Sequence, residues 1–169
     1  MKDGKNIETE KKYLIKMPSD AFVEALPAED VSRISQTYLL SEEGVTARVR
    51  KRIFSDRVSY TKTLKMRISD MSAFEDEREI SEDEYLEEIK NADPKRQTVE
   101  KTRALIRCSG HTFEIDIYPF WQSQAVMEVE LLSEDEKFTL PPEIEIIRDV
   151  TADKRYKNAS LACGDYPEE

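Results

Sequence analysis

The sequence predicts a mainly β protein of the α+β class: a closed eight-stranded antiparallel barrel with helices packed outside it. Three observations carry that prediction. Seven segments alternate charged and uncharged residues with a period of two, as strands with two unlike faces do. Most of these segments carry charge of a single sign, whereas a merely soluble surface mixes signs within a strand. Short turns join the segments into hairpins, and closing eight such strands into a barrel removes the unpaired edges.

The first strand, residues 6–15, places Glu8, Glu10 and Lys12 on one face and Ile7, Thr9, Tyr13 and Ile15 on the other. Ser19 is an N-cap for a helix over 20–25 that Pro27 ends. Strands 35–41 and 46–54 form a hairpin turning at Glu43-Gly44, and Arg48, Arg50 and Arg52 alternate with Val49 and Ile53 on its second arm. Strands 59–68 and 74–80 follow. Lys62 and Lys65 face opposite ways on the first, and Glu75, Glu77 and Glu79 share a face on the second. Ser81-x-x-Glu84 reads as a capping box opening a helix over 82–91, with Tyr85, Leu86 and Ile89 toward the core. Asp93-Pro94 closes it. Strands 97–108 and 112–118 turn at Ser109-Gly110 and carry Lys101 with Arg103, then Glu114 with Asp116. The eighth strand, 125–132, carries Glu128 and Glu130. After Pro141-Pro142, residues 144–150 are extended, Thr151 caps a last helix over 152–162, and 163–169 fray.

A chain of 169 residues suits one domain, with a core over about 6–162. Hydrophobic residues make up 38% and charged residues 37%, and the net charge of -10 argues against nucleic acid as a partner. No run is apolar enough to span a membrane, and no signal peptide is expected at the N-terminus. Cys108 and Cys163 match no metal spacing, which points to a reduced, cytoplasmic setting, with Cys108 a small apolar filler. His111 sits in the Ser109-Gly110-His111 turn and reads as a solvated turn residue.

A barrel of eight strands leaves room inside for side chains or one small ligand. Burying about twenty charges there would cost several kcal/mol for each ion left unpaired. Divalent cations held by carboxylates, and phosphates held by Arg and Lys, would supply the compensation. Any one acidic pair alone reads better as solvated charge, and surface ion pairs would explain isolated bases. An inward row of three arginines has no such explanation.

The residues resemble the CYTH domain, or triphosphate tunnel metalloenzyme, superfamily. Residues 7–15 resemble its N-terminal ExExK signature, and Gln36-x-Tyr38-Leu39 its second strand, with Thr37 where many members have glycine. Arg48-Val49-Arg50, Thr63-x-Lys65, Glu75-x-Glu77, Lys101-Thr102-Arg103, Glu114-x-Asp116 and Glu128-x-Glu130-Leu131 follow in the family's order. Asp149-Val150-Thr151 through Leu161-Ala162 resembles its closing helix. The resemblance implies a tunnel that binds triphosphates with Mg²⁺ or Mn²⁺. On it, Arg48, Arg50, Arg52, Lys65, Lys101 and Arg103 bind phosphate, and Arg155 either joins them or braces the barrel. Glu8, Glu10, Glu75, Glu77, Glu114, Asp116, Glu128 and Glu130 supply metal ligands. Glu8, Glu10, Lys12, Glu77 and Asp116 serve the chemistry. The loop Trp121-Gln122-Ser123-Gln124 is expected to shape the tunnel mouth. The implied activity is metal-dependent hydrolysis of a triphosphate-containing small molecule. A class IV-type adenylate cyclase and a non-catalytic polyphosphate-binding module are the alternatives, and a homodimer stays open.

Overall fold

The computed structural model describes residues 7–169, so the expected strand start at Asn6 lies outside the described residues. In chain order the elements are β1 (Ile7–Lys16), α1 (Asp20–Glu24), β2 (Val31–Leu39), β3 (Thr46–Ile53), β4 (Val58–Arg67), β5 (Ser72–Glu79), α2 (Glu82–Glu88), β6 (Val99–Cys108), β7 (His111–Ile117), β8 (Gln124–Leu131), β9 (Ile146–Asp149) and α3 (Asn158–Leu161). Eight strands close antiparallel in the order β1-β5-β4-β3-β2-β6-β7-β8 and back to β1. The closing seam is short: β1 and β5 pair only at Ile7–Phe74, Glu8–Ala73 and Thr9–Ser72. Beyond it the same edge of β1 pairs with β9, the one strand outside the expected eight.

Register decides what faces inward, because directly paired residues on neighbouring strands share a face. Arg48 stands between Tyr38 and Thr63, and Arg50 between Gln36 and Thr61. Arg103 pairs with Ser32 on one side and Asp116 on the other. Glu10 pairs with Glu130, Lys12 with Glu128, and Lys65 with Glu75. The charged rows of all these strands therefore line one interior. Lys62 faces outward to Glu88 of α2, at 2.6 Å.

The apolar residues sort into three clusters. Tyr13, Ile15, Phe113, Ile115, Met127 and Val129 form the outer face of β1, β7 and β8, covered by Phe22 of α1 and by Phe138 and Leu140. Val49, Ala47 and Ile80 are covered by Tyr85 of α2, whose ring lies 5.0 Å from that of Tyr60. Inside the barrel beyond Lys12, the inward residues turn apolar. Leu14, Tyr38, Val99, Tyr118 and Val126 pack with Tyr156 and Leu161 and fill that part of the interior.

Several local expectations are corrected. Of the three residues expected toward the core, Tyr85 and Ile89 pack on the strands, but Leu86 is exposed. Half of the capping box forms: Ser81 Oγ accepts from Glu84 N–H at 3.1 Å, but the Glu84 carboxylate pairs with Arg78. The last helix is not continuous. Asp153 caps a 3₁₀ turn over Lys154–Tyr156, Lys157 is extended, and only Asn158–Leu161 is α-helical. Thr151 instead binds the backbone of Lys12. The tail does not fray: Tyr166 stacks on Phe120 at 3.7 Å, and buried Gln124 bonds both Pro167 O and Glu169 N–H. Trp121 is buried against Tyr118 and Tyr156, so its loop belongs to this apolar packing and not to a tunnel mouth. His111 opens β7, bonds Glu136 at 3.0 Å and packs its ring edge on Phe138, so it is not a solvated turn residue. No described helix is long and apolar enough to cross a membrane, and both cysteines are free thiols.

Candidate active site

The interior holds two connected spaces. An inner chamber of about 310 Å³ is lined by Glu8, Glu10, Arg48, Arg50, Arg52, Lys65, Glu75, Glu77, Arg103, Glu114, Glu128 and Glu130. A vestibule of about 560 Å³ shares Glu8, Glu10, Arg48, Lys65 and Asn158 with it and opens between residues 40–46, 67–73 and 154–160.

The two basic strands of this chamber are held differently. On β6, Lys101 Nζ lies 2.8 Å from Asp116 Oδ2, and Arg103 grips both oxygens of Asp116 at 2.7 and 2.9 Å while also pairing with Glu114. On β3, Arg50 Nη2 donates to Gln36 Oε1 at 3.1 Å and Arg52 Nε to Ser32 Oγ at 2.9 Å. Nε of Arg48 and of Arg50 is buried with no partner. Among the described residues, no carboxylate lies within ion-pair distance of these three arginines. Across the chamber, Lys65 Nζ is 3.3 Å from Glu8 and 3.5 Å from Glu75, whose Oε2 accepts no hydrogen bond, and Lys12 Nζ is 2.9 Å from Glu128. Three free guanidinium groups facing a crowd of carboxylates form a receptacle for an oxyanion accompanied by cations.

No protein-family model matches the chain. An inorganic triphosphatase of Nitrosomonas europaea is 32% identical to it over 157 residues, covering 92% of this chain and 96% of the relative. The chain belongs to the inorganic triphosphatase family of the CYTH superfamily. A solved inorganic triphosphatase structure superposes with a TM-score of 0.58 at 30% identity, covering 95% of this chain and 97% of that one. A Pyrococcus horikoshii protein shares the fold at a TM-score of 0.57 and 20% identity, over 76% of this chain and 80% of its own.

The electrostatics of this triphosphatase barrel divide along the same line as its geometry. Burial first, and then the charge of Glu128, raise the Glu10 carboxyl to about 8. Burial and a hydrogen bond with Glu75 raise Glu8, and burial with the charges of Glu8 and Glu114 raises Glu130. Burial first, and then the neighbouring Arg48 and Arg103, lower Arg50 to about 9. These groups strain against their own charge, as groups awaiting a counterion do. Around Asp116 the balance is reversed. Burial opposes ionisation, but Arg103 and Lys101 outweigh it and hold Asp116 far below the usual carboxylate range. Since Arg103 takes both Asp116 oxygens, Lys101 is the less compensated cation. Burial brings it down to about 7 against the pull of Asp116.

Three expected site residues are thereby corrected. Asp116 is fully buried inside its ion pairs and borders neither space, so it is a brace and not a metal ligand or base. Lys101 is spent on the same carboxylate and does not reach the chamber. Arg155 lies outside the barrel, clamped to Asp153 at 2.7 Å. Of the expected metal ligands, Glu128 and Glu114 are held by Lys12 and Arg103.

Sequence reasoning missed Gln36 as a partner of Arg50. It also missed Lys157 and Asn158, which line the vestibule. Burial and then the charge of Lys12 lower Lys157 to about 8. Alternation on β2 could have found Gln36, which stands opposite Arg50. Nothing in the local pattern of 154–160 could have found Lys157, whose inward turn depends on the break in the last helix.

Proposed function

We propose that the chain is a metal-dependent phosphohydrolase that removes a terminal phosphate from inorganic tripolyphosphate. The observation that carries this reading is the unneutralised row Arg48-Arg50-Arg52 facing Glu8, Glu10 and Glu130 across one chamber. The name of the Nitrosomonas europaea relative supports the choice of substrate.

Phosphoryl transfer needs positioning and charge neutralisation more than covalent chemistry from the protein. Arg48, Arg50 and Arg52, with Lys65 beside them, would grip the phosphate oxygens and hold the chain in line for attack, while Arg103 borders the chamber from within its ion pairs with Asp116 and Glu114. Among the described residues no three His, Cys, Asp or Glu side chains converge as a finished metal shell. The donor chemistry nonetheless fits a hard cation: Glu8, Glu10 and Glu130 all have raised pKa values, and Glu75 keeps a buried oxygen without a hydrogen bond. Mg²⁺ or Mn²⁺ held there by Glu8, Glu10 and Glu130 would neutralise the charge of the phosphates and of the departing pyrophosphate. Glu77, on the same wall, orients a water for attack on the terminal phosphorus and takes its proton as the bridging P–O bond breaks. Lys12, already paired with Glu128, holds that carboxylate in place at the inner end.

Offering tripolyphosphate, ATP and thiamine triphosphate with Mg²⁺ or Mn²⁺ tests the reading. Orthophosphate and pyrophosphate from tripolyphosphate, lost in excess EDTA, are expected. Cyclic AMP with pyrophosphate from ATP would make the chain a cyclase, and binding without product would make it a sensor.

A further inference from the structure

Every side chain that directly pairs with the β3 arginines across β2 and β4 is uncharged. Gln36 has the most specific contact of these. It is fully buried, borders neither the chamber nor the vestibule, and uses both ends of its carboxamide. Oε1 accepts from Arg50 Nη2 at 3.1 Å, and Nε2 donates to the Tyr38 hydroxyl at 3.2 Å. The amide orientation is fixed by its neighbour, since a guanidinium offers only donors and only the carbonyl end can meet it. Tyr38 in turn stands beside Arg48 across the strands. A glutamate would fit the same volume and bind the same guanidinium more tightly, as Asp116 does with Arg103.

We propose that Gln36 is a positioning residue of the phosphate clamp, fixing the Arg50 guanidinium through a neutral amide so that its charge is left for the bound phosphate to neutralise. This rests on the reading of the Arg48-Arg50-Arg52 row as the triphosphate clamp. A neutral acceptor orients the guanidinium, whereas an anionic one would orient it and also satisfy it. Arg50 already loses part of its hold on its proton to burial and to its two basic neighbours, so an internal carboxylate would relieve it at the expense of substrate.

The inference sets affinity and stability moving in opposite directions. Gln36→Glu should raise KM for tripolyphosphate at least tenfold with a smaller change in kcat. The same substitution should leave the ligand-free melting temperature unchanged or higher, and should shrink the rise in melting temperature that tripolyphosphate produces. Gln36→Met keeps the volume without the hydrogen bonds and should raise KM severalfold. Arg50→Ala, measured alongside, tests the clamp itself. If Arg50→Ala raises KM while Gln36→Glu and Gln36→Met bind tripolyphosphate like the wild type, the inference about Gln36 is overturned and the clamp stands. If Arg50→Ala leaves KM unchanged, both fall. If both Gln36 variants only lower the melting temperature and leave KM alone, Gln36 merely packs the barrel and the inference is overturned. Should Gln36→Glu not fold, Gln36→Met decides: a raised KM with unchanged circular dichroism supports the inference, and a wild-type KM overturns it.

Discussion

Two strands of this barrel carry similar alternating bases and put them to different uses. On β6, Lys101 and Arg103 face β7, whose inward row is Glu114 and Asp116, and the cations are consumed within the protein. On β3, Arg48, Arg50 and Arg52 face Tyr38, Gln36 and Ile34 on one side and Thr63, Thr61 and Ser59 on the other, so no paired neighbour carries an opposite charge, and only the more distant carboxylates such as Glu75 and Glu77 act on Arg48. The motif on a strand therefore does not decide the role of its bases. The strand beside it does: acids there make a brace, and neutral hydrogen-bonding residues leave a receptor. The brace spends its charge on rigidity, while the receptor keeps its charge at some cost in self-repulsion until an anion arrives.

The largest expected effect comes from breaking the brace. Asp116→Asn leaves Arg103 and Lys101 buried with no shared anion, and removing one partner of such a group costs about 3–5 kcal/mol. Denaturant unfolding should show that loss, and an unfolding free energy within 1 kcal/mol of the wild type would show that the ion pairs of β6 are not what holds this wall. Breaking the receptor should cost much less. Arg50→Ala removes a charge that its neighbours repel, which offsets the loss of the donor to buried Gln36 Oε1, so the fold should lose far less stability than in Asp116→Asn. The charge-assisted bond it would make to phosphate, roughly 1.5–3 kcal/mol, sets the loss in kcat/KM at about tenfold or more. If Arg50→Ala destabilises as Asp116→Asn does, the contrast between the two strands is wrong.

The acidic wall sharpens the comparison through pH. The folded-state pKa of Glu10 lies near 8, above its ordinary value near 4.3, and Glu8 and Glu130 move the same way. Between those limits the folded protein holds protons that the unfolded chain has released, so stability without metal should fall as pH rises from about 4.5 to 8. A divalent cation would replace those protons. Mg²⁺ or Mn²⁺ should therefore raise the melting temperature by several degrees at pH 8 and by little at pH 5. A metal-induced rise of equal size at both values would remove Glu10 from the metal-binding set.

The sequence discloses the barrel and its inner face for the same reason that the register is robust. Glu8-x-Glu10-x-Lys12 and Arg48-x-Arg50-x-Arg52 keep their period of two, and slipping any strand by one residue would turn its charges into the outer clusters. What alternation does not disclose is the partner of each inward charge. Asp116 and Glu77 look alike in the chain, yet one is fully buried beneath two cations and the other borders open space. That difference depends on which strand lies alongside, which is set by the order of all eight. The C-terminal segment was less legible still. Tyr156 and Leu161 must both be buried in the barrel's apolar end while Lys157 enters the vestibule, and one straight helix does not deliver that.

The smallest expected effects fall on bases that share a sequence neighbourhood with the receptor or a motif with its family but not its interior. Lys51 lies between Arg50 and Arg52, and alternation turns it to the opposite face from Arg50. It borders neither the chamber nor the vestibule. Arg155 sits outside the barrel with its guanidinium on Asp153 and against the Tyr156 ring. Surface charges of this kind contribute within about 0.5 kcal/mol, so Lys51→Ala and Arg155→Ala should each leave kcat/KM for tripolyphosphate within about twofold of the wild type. Both should also keep the ligand-induced rise in melting temperature. The two variants test different errors. A tenfold loss in Lys51→Ala alone would mean that β3 presents its other face to the substrate, and that the inward rows of β2 and β4 are misassigned with it. A tenfold loss in Arg155→Ala alone would leave the barrel as described and mean that residues 153–157 swing over the vestibule when the anion binds, releasing Arg155 from Asp153 to reach it.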